Sequence, residues 1–247
     1  DAPRITNPRV AAIVPVDPLR NALGIERSLK TIIFGRTVIQ ATLERLGQCD
    51  ALEEIILLVP HDFDVEPTID RTRIDRPVEI EYCDGSPFGS EQPAIAAARL
   101  WSMNCWRGGI SGMSVFDEAL CPALMHDIVT RRRYTAAVIA APDWPLIDVS
   151  EQSGVPAIIN RYFEYPSRHN LVFTQAPPGL GACLLGESLL RDLAERTRLG
   201  SIGAALVYQP HSPQPDPIAR DANVQIDHRI RQSLIRATYD TEHQRSL

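Results

Sequence analysis

Two charged residues stand out by type and place. Lys30 is the single lysine of the chain, 24 of the 25 basic residues being arginine. An ammonium is a compact point charge on a flexible stem, suited to phosphate oxygens that shift during a reaction, whereas guanidinium is a rigid fork. On residue type alone, one lysine in an arginine-rich chain is compositional drift; its surroundings give it a role. It follows an apolar run, Val10 to Val16, and a loop carrying Arg20, and it precedes Phe34-Gly35-Arg36. Strand, basic loop, lysine, turn and helix is an arrangement that often meets triphosphates. The second residue is Asp143, directly after the small apolar run Thr135 to Ala141, in Asp143-Trp144-Pro145-Leu146-Ile147-Asp148. A carboxylate there suits Mg²⁺, which keeps several waters and bridges protein to substrate phosphates. An Asp shortly before Pro145 equally suits a plain turn.

The elements that must position these groups can be read from periodicity. Val38, Ile39, Thr42, Leu43 and Leu46 share one face of a helix that begins near Thr37 and ends around Gly47. Glu54 to Val59, closed by Pro60, reads as a buried strand, and Val78 to Cys83 as a half-buried one that turns at Asp84-Gly85-Ser86. A helix is predicted from Ala123 through Thr130, and Thr135 to Ala141 as a central parallel strand. Between them, Gly85 to Gly112 carries a helical stretch at Ala94 to Ala98 and a loop at Arg107 to Gly109. Later segments give helices at Val155 to Phe163 and Glu187 to Arg196, and strands at Leu171 to Thr174 and Ala204 to Tyr208. Pro210 to Pro217 forms a proline-rich loop, and Ile226, Ile230 and Leu234 mark a final amphipathic helix. Strands alternating with helices imply an α/β fold of three layers, a mostly parallel sheet covered on both faces.

Composition excludes several classes. With 247 residues and 44% hydrophobic content the chain can bury a proper core. A net charge of −6 argues against a nucleic-acid partner. Arg131-Arg132-Arg133 reads as the solvated last turn of a helix. Cys49, Cys83, Cys105, Cys121 and Cys183 form no Cys-x-x-Cys pair and read as reduced, mostly buried cytoplasmic thiols. The histidines show no zinc spacing, and no apolar run is long enough to span a membrane.

Arg20, Ser28-Leu-Lys30, Phe34-Gly35-Arg36-Thr-Val-Ile-Gln40 and Leu43-Glu-Arg-Leu46, followed by Asp143-x-Pro145-Leu-Ile147, resemble the sugar nucleotidyltransferases of the nucleotide-diphospho-sugar transferase (GT-A-like) fold. The nearest members are the cytidylyltransferases that activate acidic sugars. The resemblance implies one domain over residues 1–247, with a nucleotide-binding half at 10–150 and an acceptor-binding half with the C-terminal helix at 151–247. It implies that Arg20, Lys30 and Arg36 hold the triphosphate, with Arg20 and Lys30 acting in catalysis, and that Asp143 holds Mg²⁺. A second carboxylate completes the metal site: Asp216, Asp221 and Asp227 are not separated by spacing, and Asp216 stands first. The implied partners are a nucleoside triphosphate and a small sugar-like acceptor, without nucleic acid or membrane; members of the family often form homodimers. Gln175 to Ala182 is either a loop over the acceptor or a turn into the next helix. Trp144 either covers a base or packs.

The first loop departs from the family pattern. It reads Pro15-Val16-Asp17-Pro18-Leu19, with two residues lacking an N–H and one added negative charge where the family has glycines. A nucleotidyltransferase-like interaction domain without turnover, part of a longer protein, is therefore the alternative function. A glycosyltransferase of the same fold would use an Asp-x-Asp motif; the only one, Asp62-Phe-Asp64, follows the second strand rather than the central one and reads as a solvated turn.

Overall fold

A computed structural model describes residues 9–19, 28–85, 87, 121–164, 170–174, 176–195, 223–231, 233, 235 and 237–239. The strands are β1 (Val10–Pro15), β2 (Ile32–Ile33), β3 (Arg36–Thr37), β4 (Ile55–Pro60), β5 (Val78–Cys83), β6 (Ala136–Ile139), β7 (Leu171–Thr174), β8 (Cys183–Gly186) and β9 (Asn223–Val224). The helices are α1 (Val38–Gly47), α2 (Pro122–Arg132), α3 (Val155–Glu164), α4 (Glu187–Ala194) and the single turn α5 (His228–Arg231). Seven strands form one sheet in the order β5-β4-β1-β6-β8-β7-β9. All its pairings are parallel except those of β8, which runs antiparallel to both β6 and β7. This is the mostly parallel α/β sheet that the sequence predicts.

Alternation along the strands builds two cores, because successive side chains leave opposite faces of a pleated sheet. Val10, Ala12, Val14, Ile55, Leu57 and Val138 pack on α1 and α3 through Ile39, Leu43, Leu46 and Ile158. Ala11, Ile13, Ile56, Leu58, Ile139 and Phe173 pack on α2 and α4 through Met125, Val129, Leu190 and Leu193. The result is three layers, helices on both sides of the sheet.

Several elements differ from expectation at their edges. Pro60 ends β4 rather than following it, and α2 starts at Pro122 and runs to Arg132. Of the final amphipathic helix, the described residues form α5, whose start is capped by Asp227 accepting the Arg229 N–H at 2.7 Å, while Leu234 lies outside them. The helix at 94–98, the loop at 107–109, the strand at 204–208 and the loop at 210–217 lie outside the described residues. The Arg131 to Arg133 run is not merely solvated. Arg132 bonds Glu54 at 2.8 Å and Glu81 at 2.5 Å, Arg131 reaches Glu81 at 3.3 Å, and Arg133 ends α2 in the left-handed region at φ 59°. Tyr134 adds a hydrogen bond to Glu54, and Arg9 lies 4.9 Å above the Tyr134 ring while pairing with Glu53 at 2.8 Å. Cys49, Cys121 and Cys183 are buried free thiols and Cys83 is partly buried; Cys105 lies outside the described residues. Burial pushes the Cys49 thiol up to about 11.

Candidate functional site at the carboxyl edge of the sheet

From β1 the chain steps to β4 and β5 on one side, then returns to β6 on the other. The order of strands therefore reverses between β1 and β6, and in open α/β sheets ligands bind outside the carboxyl ends of the strands at such a point. An aspartate follows each of these strands in the loop beyond it. Ile13 stands opposite Ile139, and Asp17 and Asp143 are each four residues further on (17 − 13 = 143 − 139). Asp143 is 3% exposed and Asp17 5%. The Asp17 carboxylate accepts the Leu19 N–H at 2.9 Å, so it folds its own loop back as a turn. The Asp143 carbonyl accepts the Tyr239 N–H at 2.9 Å, which ties the late segment 237–239 to the metal-ligand candidate.

Lys30 sits in the turn Ser28 to Thr31, closed by the Thr31 N–H on the Ser28 carbonyl at 3.1 Å. Its side chain is exposed and makes no ion pair among the described residues; its ammonium lies 5.3 Å from the centroid of Phe63, just beyond β4. An aromatic face holds a cation without neutralising it. That leaves the charge for an anion.

The hairpin that follows is a feature the sequence announces only through Gly35. β2 and β3 pair antiparallel, Ile33 opposite Arg36, around a two-residue turn with Phe34 at φ 49° and Gly35 at φ 75°. Two consecutive left-handed residues make the turn type whose twist matches a hairpin. Phe34 accepts that conformation at a cost of about 1–2 kcal/mol and is 88% exposed. Thr37 then caps α1 by accepting the Gln40 N–H at 3.1 Å and donates its hydroxyl to the Thr68 carbonyl at 2.6 Å.

Arg36 turns away from solvent to Glu44, one of the few buried carboxylates. Glu44 also accepts Arg73 at 3.0 Å and Gln40 at 2.9 Å, and Gln40 in turn clasps both the N–H and the carbonyl of Asp70. The Arg36 guanidinium thus fastens the hairpin to α1 and to the 66–74 segment. Glu44 was hidden in sequence because its cationic partners lie eight residues before and far after it; its one signal is a charge on the buried face of the helix.

Arg20, Asp216, Asp221 and Gln175 lie outside the described residues, while Asp227 is exposed and caps α5. Trp144 is 3% exposed within the core of α1 and α3, so it packs. Asp148 accepts the Ser150 N–H at 2.8 Å and the Ser153 hydroxyl at 2.6 Å, shaping the approach to α3. Asp62 and Asp64 are exposed, as a solvated turn requires.

Among the described residues, no three His, Cys, Asp or Glu side chains gather into a metal cage. A site built on one or two carboxylates, with waters and substrate phosphates completing the shell, is the usual pattern for Mg²⁺. The buried oxygen donor of Asp143 fits that pattern.

No family model matches the chain, and no curated protein matches it. Solved structures do. A cytidylyltransferase from Leptospira borgpetersenii serovar Hardjo-bovis (strain JB197) superposes with a TM-score of 0.57 at 13% identity, over 96% of this chain and 81% of that one. A 4-diphosphocytidyl-2C-methyl-D-erythritol synthase gives a TM-score of 0.51 at 11% identity, over 97% of both chains. The fold is the nucleotide-diphospho-sugar transferase fold of the cytidylyltransferases. No helix among the described residues is long and apolar enough to cross a membrane.

Proposed function

We propose that this chain is a cytoplasmic, metal-dependent nucleotidyltransferase that moves a nucleoside monophosphate from a nucleoside triphosphate to a small sugar-like acceptor. The observation that carries the reading is the buried Asp143 at the end of β6, at the strand-order reversal, with Lys30 uncompensated by any described carboxylate on the same edge of the sheet. The shared fold with two cytidylyltransferases makes CTP the first triphosphate to test.

In this reading an acceptor oxygen attacks the α-phosphorus in line. The new O–P bond forms as the bond to the β-phosphate oxygen breaks, the electron pair leaves with pyrophosphate, and the acceptor proton passes to solvent. Such a step needs alignment and charge neutralisation more than covalent help. Lys30 meets the charge on the departing phosphates, Arg20 supplies a fixed fork, and Arg36, anchored on Glu44, holds the hairpin that follows the Lys30 turn. Asp143, with Asp216, holds Mg²⁺, which when bound screens the phosphate charge.

The second reading is a domain that keeps the fold without turnover. It draws on the first loop, where Pro15 and Pro18 lack an N–H and Asp17 takes the Leu19 N–H for itself. Titration calorimetry with CTP, UTP, GTP and ATP in the presence of Mg²⁺, followed by a pyrophosphate-release assay with candidate acidic sugars, separates the two. Absence of binding to any triphosphate would sink the transferase reading; binding without release favours the second.

A further inference from the structure

Lys30 and Asp143 are remote in sequence, and α1 is the element that touches both of their segments. At its amino end, the Thr31 carbonyl accepts the Val38 N–H at 3.0 Å and the Leu29 carbonyl accepts the Ile39 N–H at 3.4 Å. About one turn along the helix, Thr42 is 0% exposed. Its hydroxyl lies 3.1 Å from the Val38 carbonyl and 3.0 Å from the Pro142 carbonyl. The first contact is what a threonine in any helix makes with the preceding turn. The second reaches across the fold to the peptide immediately before Asp143.

We infer that Thr42 is a positioning residue that fixes the Asp143 carboxylate relative to the Lys30 turn, by donating its hydroxyl proton to the Pro142 carbonyl. The inference rests on the nucleotidyltransferase reading for its functional consequence. Pro142 and Asp143 are buried, so a carbonyl released there has no water to turn to, and the loop must shift to recover a donor. Metal and phosphate groups work only within about 0.5 Å of their productive places. Arg45, exposed on the same helix, holds the far end of the loop through its Nε on the Ile147 carbonyl at 3.1 Å. Of the two anchors that α1 supplies, Thr42 is the one beside Asp143, whose own carbonyl also accepts the Tyr239 N–H.

Thr42→Val keeps the branched shape and removes the donor; Thr42→Ser keeps the donor and removes a methyl. Two readouts are compared across wild type and both variants. The first is hydrogen exchange at the Ile147 and Asp148 amides, which are bonded to the carbonyls of Trp144 and Leu180. It is expected to quicken about tenfold in Thr42→Val and to return towards wild type in Thr42→Ser, while amides of β1 and β4 exchange alike in all three. The second is the Mg²⁺ midpoint for CTP binding, expected to rise about tenfold in Thr42→Val and to be restored by serine. Loop exchange that is unchanged in Thr42→Val, or altered alike in both variants, overturns the inference. Faster exchange with an unchanged Mg²⁺ midpoint overturns it too, since Thr42 then stabilises the loop and positions nothing. A wild type without metal-dependent triphosphate binding sinks the transferase reading instead, and the exchange comparison still decides whether Thr42 sets the Asp143 loop.

Discussion

The two edges of the sheet use charge in opposite ways. Around the amino ends of β1, β4 and β6, reaching Glu81 on β5, three guanidiniums meet carboxylates: Arg9 on Glu53, Arg132 on Glu54 and Glu81, Arg131 on Glu81. At the carboxyl edge Lys30 rests on the face of Phe63 with no described carboxylate beside it, and Asp17 and Asp143 are buried at the ends of neighbouring strands. Cancelled charge holds a structure together; the Lys30 charge, which no described carboxylate meets, can meet a ligand. The contrast also shows why the same residue types carry different meanings in different places.

Breaking the carboxyl edge should cost activity first. Asp143→Asn is expected to lower metal-dependent pyrophosphate release about 10³-fold, and turnover within a few fold of wild type would remove Asp143 from the site. Lys30→Ala should weaken triphosphate binding by about 10- to 100-fold, the loss of a charged hydrogen bond or two, with little change in melting temperature because the side chain is exposed. Lys30→Arg should recover binding better than turnover, as calorimetry against the release assay will reveal. Breaking the amino edge should do the reverse. Arg132→Met leaves Glu54 to Tyr134 and Glu81 to Arg131 alone, and urea unfolding should show a loss of about 1–3 kcal/mol with the release rate unaltered.

The smallest effect sharpens the same contrast through pH. Burial alone would push the Glu81 carboxyl up, but hydrogen bonds from Arg132 and Arg131 outweigh it and hold the group below its ordinary value. A lowered folded value means the stabilisation is present above the unfolded value, near about 4.3, and is lost as pH falls through the folded one. Thermal melts from neutral to acid pH should therefore fall less steeply for Glu81→Gln than for wild type. An unchanged acid limb would show that Glu81 contributes nothing to it.

How much of this was legible follows from what each residue depends on. β1, β4 and β6 are continuous apolar runs buried on both faces, and β5 alternates, so their patterns state their places directly. The Ile39, Leu43 and Leu46 stripe gave the core face of α1, but Thr42 looked like one more member of it, since its bond to Pro142 depends on how the strands are ordered. Arg36 showed itself as a cation beside a turn; that its partner is Glu44 depends on the hairpin folding back over the helix. β8 escaped notice because Cys183 to Gly186 spans four residues between a glycine-rich turn and α4. β2 and β3 escaped because each has two. Asp143 was readable because a carboxylate after a central strand has a meaning set by topology, and Asp17, read as charge in the wrong place, proved to be buried just after the neighbouring strand.

The reversed strand β8 governs the order in which the sheet can close. The chain lays down β6, crosses through α3 and places β7 with an open slot between them, roughly two strand spacings or ~10 Å wide, which only residues 183–186 fill. Until β8 inserts, the backbone groups along one side of β6 and of β7 have no ladder to join. The first four strands of the sheet can assemble as soon as Ile139 has emerged, but the second half must wait for a segment made later. Refolding should accordingly proceed in two phases, with amides of β1 and β4 protected before those of β8, and the waiting edges are where a growing or stressed chain would first adhere to its neighbours.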